Sequence, residues 1–315
     1  MHLAMLLDPT ARSAYFADTM DVAMAEFALH YPGVEVTHTR IGAMDFLRTS
    51  LPEQVLAEVT RMSCVLGVFA VDEASEQLLE PLDVDPGFIL PADLVFGAKY
   101  RGKTNELVTQ LAINAACRFC ASRFPPRTLL DPMAGRGTTL LWALRYGMDA
   151  RGVEPDHQAV EDLHRHIKRQ TKLHRIKHDH QRGFVGKKNK RGDGQFTHYA
   201  LGGHTARLIT GDSRDAQALL ANQRFDLVVA DLPYGIQHGS RGAKGGLRGL
   251  VEACAPAWIA SMREGGAMAL IYNTYRPTRE ELTEIFFTLG CTVQDFTAPH
   301  RMSESIVRDV LVVTR

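Results

Sequence analysis

The stretch Thr128–Glu154, TLLDPMAGRGTTLLWALRYGMDARGVE, decides the fold. It opens with a short apolar strand, Thr128 to Leu130, followed by a loop whose two glycines, Gly135 and Gly137, stand one residue apart. A helix is predicted over Thr138 to Tyr146, stopped by Gly147, and a second strand closes on Glu154. This order is one half of a nucleotide-binding α/β sheet. In such a unit the glycine loop lets backbone approach a ligand at the carboxyl edge of the strand. An acid about 20 residues on is placed to accept from a ribose.

What the loop lacks narrows the ligand. A dinucleotide fingerprint would carry a third glycine where Leu140 stands, and a P-loop would end in Gly-Lys-Ser/Thr. Asp131 closes the first strand instead, and a carboxylate facing the loop would repel a pyrophosphate but pair with an ammonium group. A ligand with a ribose and a cationic amino-acid end is S-adenosylmethionine.

Outward from this unit, the 315 residues are enough for a large domain and a small one. Lys and Arg balance Asp and Glu at 36 each, so any electrostatic partner must be met by a local cluster. The start, MHLAMLLDPTAR, has no basic n-region, its apolar run is short for a signal peptide, and no run approaches a membrane span. Five cysteines without framework spacing fit a reducing compartment, and a cytoplasmic location is expected. Cys117 and Cys120 form a CxxC inside a helical pattern with no second pair, which reads as core packing. The histidines at 164, 166, 174, 178 and 180 lack a closing partner, so no metal is expected.

Residues 1 to 71 alternate as a small α/β unit. Strands are predicted at His2 to Leu7, Val34 to Arg40 and Cys64 to Val71, with helical segments at Ser13 to His30 and Pro52 to Met62. Asp72 to Asp93 holds seven acids, three prolines and no Lys or Arg, the composition of a linker. The expected domains are therefore 1–95, a small substrate-recognition module with its acidic linker, and 96–315. After KYRGK (99–103), Thr104 or Asn105 is a suitable N-cap for a helix running to Phe119.

Beyond Glu154 a helix is predicted over Pro155 to Ile167. From Arg165 to Arg191 there are eleven Lys or Arg and one acid, Asp179, before a glycine-rich tail ending at Gly203. A solvated loop is the plain reading of such an insertion (165–204). A run of this charge in a neutral protein also suits a polyanion, and a nucleic acid is the expected partner.

The sheet then resumes. Strands are predicted at Ala206 to Thr210, Phe225 to Ala230, Ala267 to Tyr272, Cys291 to Phe296 and Ile306 to Val313, with helices at Leu247 to Met262 and Thr278 to Gly290. Strands alternating with helices imply a parallel sheet, and the last two, joined without a helix, must pair antiparallel. The run FDLVVA (225–230), apolar apart from Asp226, reads as a central strand, and delivers Asp231, Leu232, Pro233 and Tyr234 to the same edge as Asp131, Glu154 and Asp212. An exocyclic amine on a nucleobase is a poor nucleophile because its lone pair is delocalised into the ring. Two acceptors, one per N–H, can turn that lone pair toward an electrophile. The Asp231 carboxylate and the Leu232 carbonyl are such a pair, and Tyr234 offers a flat face for an extruded base.

Taken in order, DPMAGRG, GVEPD, GDSRD and DLPYG resemble the base-amino methyltransferases with an (Asp/Asn)-Pro-Pro-Tyr motif, and YRGKTNE looks like the lead-in of THUMP-associated tRNA guanosine-N2 methyltransferases. The resemblance covers about residues 96 to 315 and implies a class I, Rossmann-like, seven-stranded α/β methyltransferase sheet. It places S-adenosyl-L-methionine on Asp131 (ammonium), Ala134, Gly135, Gly137, Thr138, Glu154 (ribose), Asp212 (adenine amine) and Ser213. Asp231, Leu232, Pro233 and Tyr234 receive the substrate amine. Leu232 stands where the family has its first proline, and 95 N-terminal residues are too few for both the ferredoxin-like and the THUMP domain. Guanosine N2 in tRNA is the implied target. DNA adenine-N6 or cytosine-N4, rRNA, a protein glutamine (whose enzymes use Asn at position 231), and an inactive core that binds nucleic acid stay open.

Overall fold

The computed structural model describes residues 1–72, 74–75, 78–97, 105–186, 194–233, 245–304 and 306–315, with Phe16 described by its backbone alone. Its contacts divide the chain into two units, Met1–Gly87 with Phe296–Asp309, and Phe88–Asp295 with Val310–Arg315.

In the first unit five strands, β1 (His2–Leu7), β2 (Val36–Ile41), β3 (Met44–Ser50), β4 (Val65–Val71) and β5 (Leu79–Pro81), form an antiparallel sheet in the order β2-β3-β1-β4-β5. Two of these strands were not anticipated. β3 places Phe46 and Leu47, adjacent and both buried, on opposite faces, which hides the alternation expected of a half-exposed strand. It follows β2 through Gly42-Ala43, with Gly42 at φ +60°. β5 falls inside the acidic stretch read as linker. The helical stretch 13–30 is interrupted, and Thr19–His30 is its one long helix. Just before that helix Tyr15 turns inward to donate to Ser63 Oγ (2.9 Å), while the Asp18 carboxylate accepts the Arg301 N–H (2.7 Å).

In the second unit the strands are β6 (Thr128–Asp131), β7 (Asp149–Glu154), β8 (His178–Phe184), β9 (Gln195–Leu201), β10 (His204–Thr210), β11 (Phe225–Asp231), β12 (Met262–Asn273), β13 (Thr292–Val293) and, from Val310 on, β15 (Ile306–Thr314); β14 (His300–Ser303) falls among the residues of the first unit. The sheet order is β13-β15-β12-β11-β6-β7-β10-β9-β8, with β14 paired to β15. Without β8, β9 and β14 this is the seven-strand α/β plan. The neighbours β12, β11, β6, β7 and β10 run parallel, and β13 pairs antiparallel with β15. The expected strand over 291–296 shortens to two residues: Phe296 and Ala298 are buried, and the Ala298 N–H bonds the Asp309 carboxylate (2.7 Å) rather than a strand neighbour.

The basic insertion is ordered structure in its described part, not a loop. Helix His157–Leu173, capped by Asp156 on the Gln158 N–H (2.9 Å), runs six residues past the predicted end because its buried stripe continues through polar residues, Gln170 and Thr171. β8 and β9 then add an antiparallel pair to β10. The period of two in β9, where Thr197, Tyr199 and Leu201 are buried, fixes its face. His164 on the helix bonds the Tyr199 hydroxyl (2.8 Å) and lies against His180, which stacks on Tyr199, tying helix to strands.

Helix Glu106–Phe119 starts at Asn105, whose side chain accepts from the Leu107 and Val108 N–H groups, and packs on β11 and β12. It ends near Cys120, a buried free thiol 3.5 Å from the Asp226 carbonyl. Leu130, Val153, Ile209, Val228, Trp258, Leu270 and Phe286 centre the core. Burial of each aliphatic side chain of this kind contributes about 1.5–3 kcal/mol. At the amino end of β11, Asp226, 1 % exposed, accepts from the Arg127 and Thr128 N–H groups and the Thr128 and Ser122 hydroxyls, with Arg263 Nε 3.3 Å away. Burial alone would push this carboxyl up, but those donors hold it below the usual carboxylate range.

Candidate active site

β11, β6, β7 and β10 are neighbours that run the same way, so the residues closing them share one edge. Asp231 closes β11, Asp131 closes β6, Glu154 closes β7, and Asp212 lies two residues past β10. Thr210 is in register with Glu154, and Asp131 with Gly152.

Asp131 is 2 % exposed, and its Oδ1 accepts the Met133 N–H (3.0 Å). Burial pushes its carboxyl up to about 7; the Thr139 hydroxyl and the Met133 N–H oppose this, and the charges of Asp231 and Glu154 add to it. A buried carboxylate among like charges calls for a cation beside it.

The loop that follows is built on backbone. The Ala134 N–H bonds the Val153 carbonyl (3.0 Å), and the Gly137 N–H bonds the Ala134 carbonyl (2.7 Å). Gly135 and Gly137 sit at φ +48° and +82°, the left-handed region, and a Cβ on Gly137 would also meet Leu163 at 3.0 Å. Gly152 was not singled out from sequence. It lies under the loop, where a Cβ would come 2.8 Å from that of Ala134. Thr138, buried, opens the helix Thr138–Arg145.

Both oxygens of Glu154 are placed by backbone donors: Oε2 accepts the Gly135 N–H and Oε1 the Asp156 N–H, each at 2.9 Å. Burial raises this carboxyl, and the two donors restrain the rise. Each oxygen keeps a lone pair for a hydroxyl donor. Asp212 is held differently. Arg214 bonds it through its N–H (2.8 Å), Nε (2.9 Å) and Nη2 (2.5 Å), which lowers its carboxyl. Sequence reading missed Arg214, although GDSRD carries it two residues after the acid. Ser213 is buried and accepts Trp258 Nε1 (2.9 Å), which fixes the turn behind Asp212.

Leu232 is held in place without the ring that a proline would bring. Its N–H bonds the Ile271 carbonyl (2.9 Å), a bond proline cannot make, and its side chain is 1 % exposed within the core. The hydrogen bond fixes the Asp231–Leu232 peptide, and the buried side chain anchors the residue whose carbonyl follows Asp231. Pro233 is half-buried beyond it. Tyr234 lies outside the described residues, as do Lys187, Lys188, Lys190 and Arg191.

Of the described basic residues, Arg165 pairs with Asp162 and Arg182 with Glu161. The side chains of Lys168, Arg169, Lys172, Arg175 and Lys177 are exposed and make no hydrogen bond or ion pair among the described residues. They cluster at the carboxyl end of helix His157–Leu173 and just past it. Among the described residues no group of three or more His, Cys, Asp or Glu could hold a metal, and no helix is long and apolar enough to cross a membrane.

A ligand with a positive charge for Asp131 and hydroxyls for Glu154 would suit this edge, and a sulfonium amino acid linked to a ribose has both. No curated protein matches the chain. Among solved structures, TrmN from Thermus thermophilus matches at 12 % identity over 100 % of this chain and 99 % of its own, with a TM-score of 0.46. A methyltransferase from Pyrococcus furiosus matches at 13 % (70 % and 91 % covered, TM-score 0.43). A TehB-like SAM-dependent methyltransferase from Corynebacterium glutamicum matches at 15 % (61 % and 83 %, TM-score 0.38). At this level of likeness the substrate of none of them transfers to this chain. The family model of the RMKL-like methyltransferase domain matches residues 112–285, more than half of the chain, and the chain belongs to that family, with S-adenosyl-L-methionine as its methyl donor.

Proposed function

We propose that the protein methylates the exocyclic amine of a nucleobase in RNA, with guanosine N2 in tRNA as the target, as in the THUMP-associated group that its sequence resembles. The observation that carries this reading is the place of Asp231. It closes the central strand β11, next to the strand ending in Asp131, and is followed by a peptide locked by the Leu232 N–H and side chain. The bound cofactor supplies an activated methyl group on its sulfonium. Asp131 would take its ammonium, Glu154 its ribose hydroxyls, Asp212 and Ser213 its adenine side, and the loop from Ala134 to Thr138 would pack against it.

The remaining work belongs to Asp231 and Leu232. The carboxylate and the carbonyl accept the two amine hydrogens, orient the nitrogen lone pair and stabilise the positive charge that develops there. The nitrogen becomes acidic as it takes the methyl, so its proton can pass to Asp231 or to water. Positioning of this kind can account for about 7–11 kcal/mol of a barrier in favourable cases. Tyr234 would stack on the base. Lys168, Arg169, Lys172, Arg175 and Lys177 would meet phosphates, because exposed cations without protein partners release counterions on binding. The small N-terminal unit, residues 1–95 in this reading, would help to select the RNA.

The test is transfer of label from S-adenosyl-L-methionine to total tRNA, rRNA and DNA, followed by nucleoside analysis. Labelled N2-methylguanosine from tRNA is the expected product. Label in DNA alone would move the target to adenine or cytosine, and no label in any nucleic acid would favour an inactive core.

A further inference from the structure

A second charged arrangement lies away from the active edge, on a face of the same sheet. Arg151 on β7 is in register with Arg207 on β10, and Arg207 with His198 on β9. The three therefore form one row across three adjacent strands, each about 4.8 Å from the next. Tyr199 and Ala206, their chain neighbours, point the other way, toward helix His157–Leu173. The row occupies the opposite face, where all three side chains are half-buried.

The row is unbalanced. Arg207 makes no hydrogen bond or ion pair among the described residues, and its buried Nε has no acceptor. The buried Nδ1 of His198 also has no partner. Arg151 donates Nη1 to the Ala150 carbonyl (2.8 Å) and the Thr205 hydroxyl (3.2 Å) but pairs with no carboxylate among the described residues. The acids facing the row are Asp149, whose Oδ1 is taken by the N–H and hydroxyl of Thr205, and Asp179, exposed on β8. Burial lowers Arg151, and Arg207 lowers it further; burial followed by both arginines lowers His198.

Arg207 is also held in place. Its Cζ lies 4.5 Å from the centre of the Phe196 ring, and Phe196 reaches across Gly183, where a Cβ would be 2.7 Å from the ring. A guanidinium stacked on an aromatic face keeps its N–H edges available and its orientation fixed. Two adjacent arginines, half-desolvated and short of counter-charge, cost stability unless an anion joins them. A row about 10 Å long with three donor groups suits an anion with several acceptor oxygens and more than one charge better than it suits a single carboxylate.

We propose that Arg151, Arg207 and His198 form a binding site for a phosphate group on this sheet face, separate from the methyl-transfer edge. The phosphate can belong to an RNA backbone, an option that rests on the function proposed above, or to a free phosphate ion, which does not. The experiment follows the His198 ring by NMR through a pH titration of the full chain, with and without inorganic phosphate. Phosphate should move the His198 midpoint upward, because the anion offsets the two arginines. In Arg207→Ala that response should vanish and phosphate affinity fall at least tenfold, and Arg207→Lys should restore part of it; unchanged cofactor affinity would show both variants folded. If a short RNA displaces the phosphate, the backbone is the source. If RNA binds without displacing it, the site serves the free ion. A His198 titration indifferent to both phosphate and RNA, or a response that persists in Arg207→Ala, would overturn the proposal.

Discussion

Asp131 and Asp226 sit on neighbouring strands of one sheet, at opposite ends and almost equally buried, yet the chain treats their charges in opposite ways. Four hydrogen-bond donors and Arg263 surround Asp226 at the amino edge and hold its carboxyl low. Asp131 at the carboxyl edge has fewer donors and two acidic neighbours, and its carboxyl rises to about 7. A satisfied buried charge fastens structure, whereas one left short of positive charge is held ready for a ligand that brings it.

The largest effect should come from breaking the satisfied end. Asp226→Ala strands those donors, and denaturant unfolding should show a loss of about 3–5 kcal/mol. Cofactor affinity of the folded fraction should barely change. The stabilisation from Asp226 is present above the unfolded carboxylate value, about 4, and should fade as acid carries the pH down through its lower folded value.

At the other edge the effects should fall on chemistry. Asp231→Ala should lower the methylation rate by roughly a hundredfold, measured under saturating cofactor, with little change in stability. Asp231→Asn should be milder, because its amide oxygen still accepts a hydrogen bond. Glu154→Ala should weaken cofactor binding by about 1.5–3 kcal/mol, read by calorimetry, if the carboxylate accepts the ribose. Smaller again, replacing Lys168, Lys172 and Arg175 with Ala should flatten the dependence of log RNA affinity on log salt by about 0.7–0.9 for each phosphate no longer neutralised. An unchanged slope would leave these residues as a solvated helix end.

Much of the carboxyl edge was legible because its elements announce themselves locally. Asp131 and Asp231 end largely apolar runs, Glu154 closes the strand that follows the Gly147 stop, and glycines mark the loop, so position in the sheet follows from chain order. Asp226 was not legible: it lies inside FDLVVA, and the donors that satisfy it come from residues about a hundred positions away. The same holds for Arg151, Arg207 and His198, which only strand register brings into one row. β8 and β9 were hidden because polar residues at the buried positions, such as Thr197, erase the hydrophobic alternation. Their partners supply the pattern that the segment itself lacks.

The most direct test of the contrast is S-adenosyl-L-methionine affinity as a function of pH, by titration calorimetry, in the wild type and in Asp131→Asn. With Asp131 titrating near 7 when the site is free and near 4 when unfolded, its burial erodes stability as pH rises between those values, and a cation on the carboxylate reverses the loss. Wild-type affinity should therefore rise from about pH 5.5 to about pH 7 with proton release on binding, then level off. Asp131→Asn should bind more weakly with a nearly flat profile and be at least as stable as the wild type at neutral pH. A wild-type profile that is flat, or the same slope in Asp131→Asn, would contradict the account.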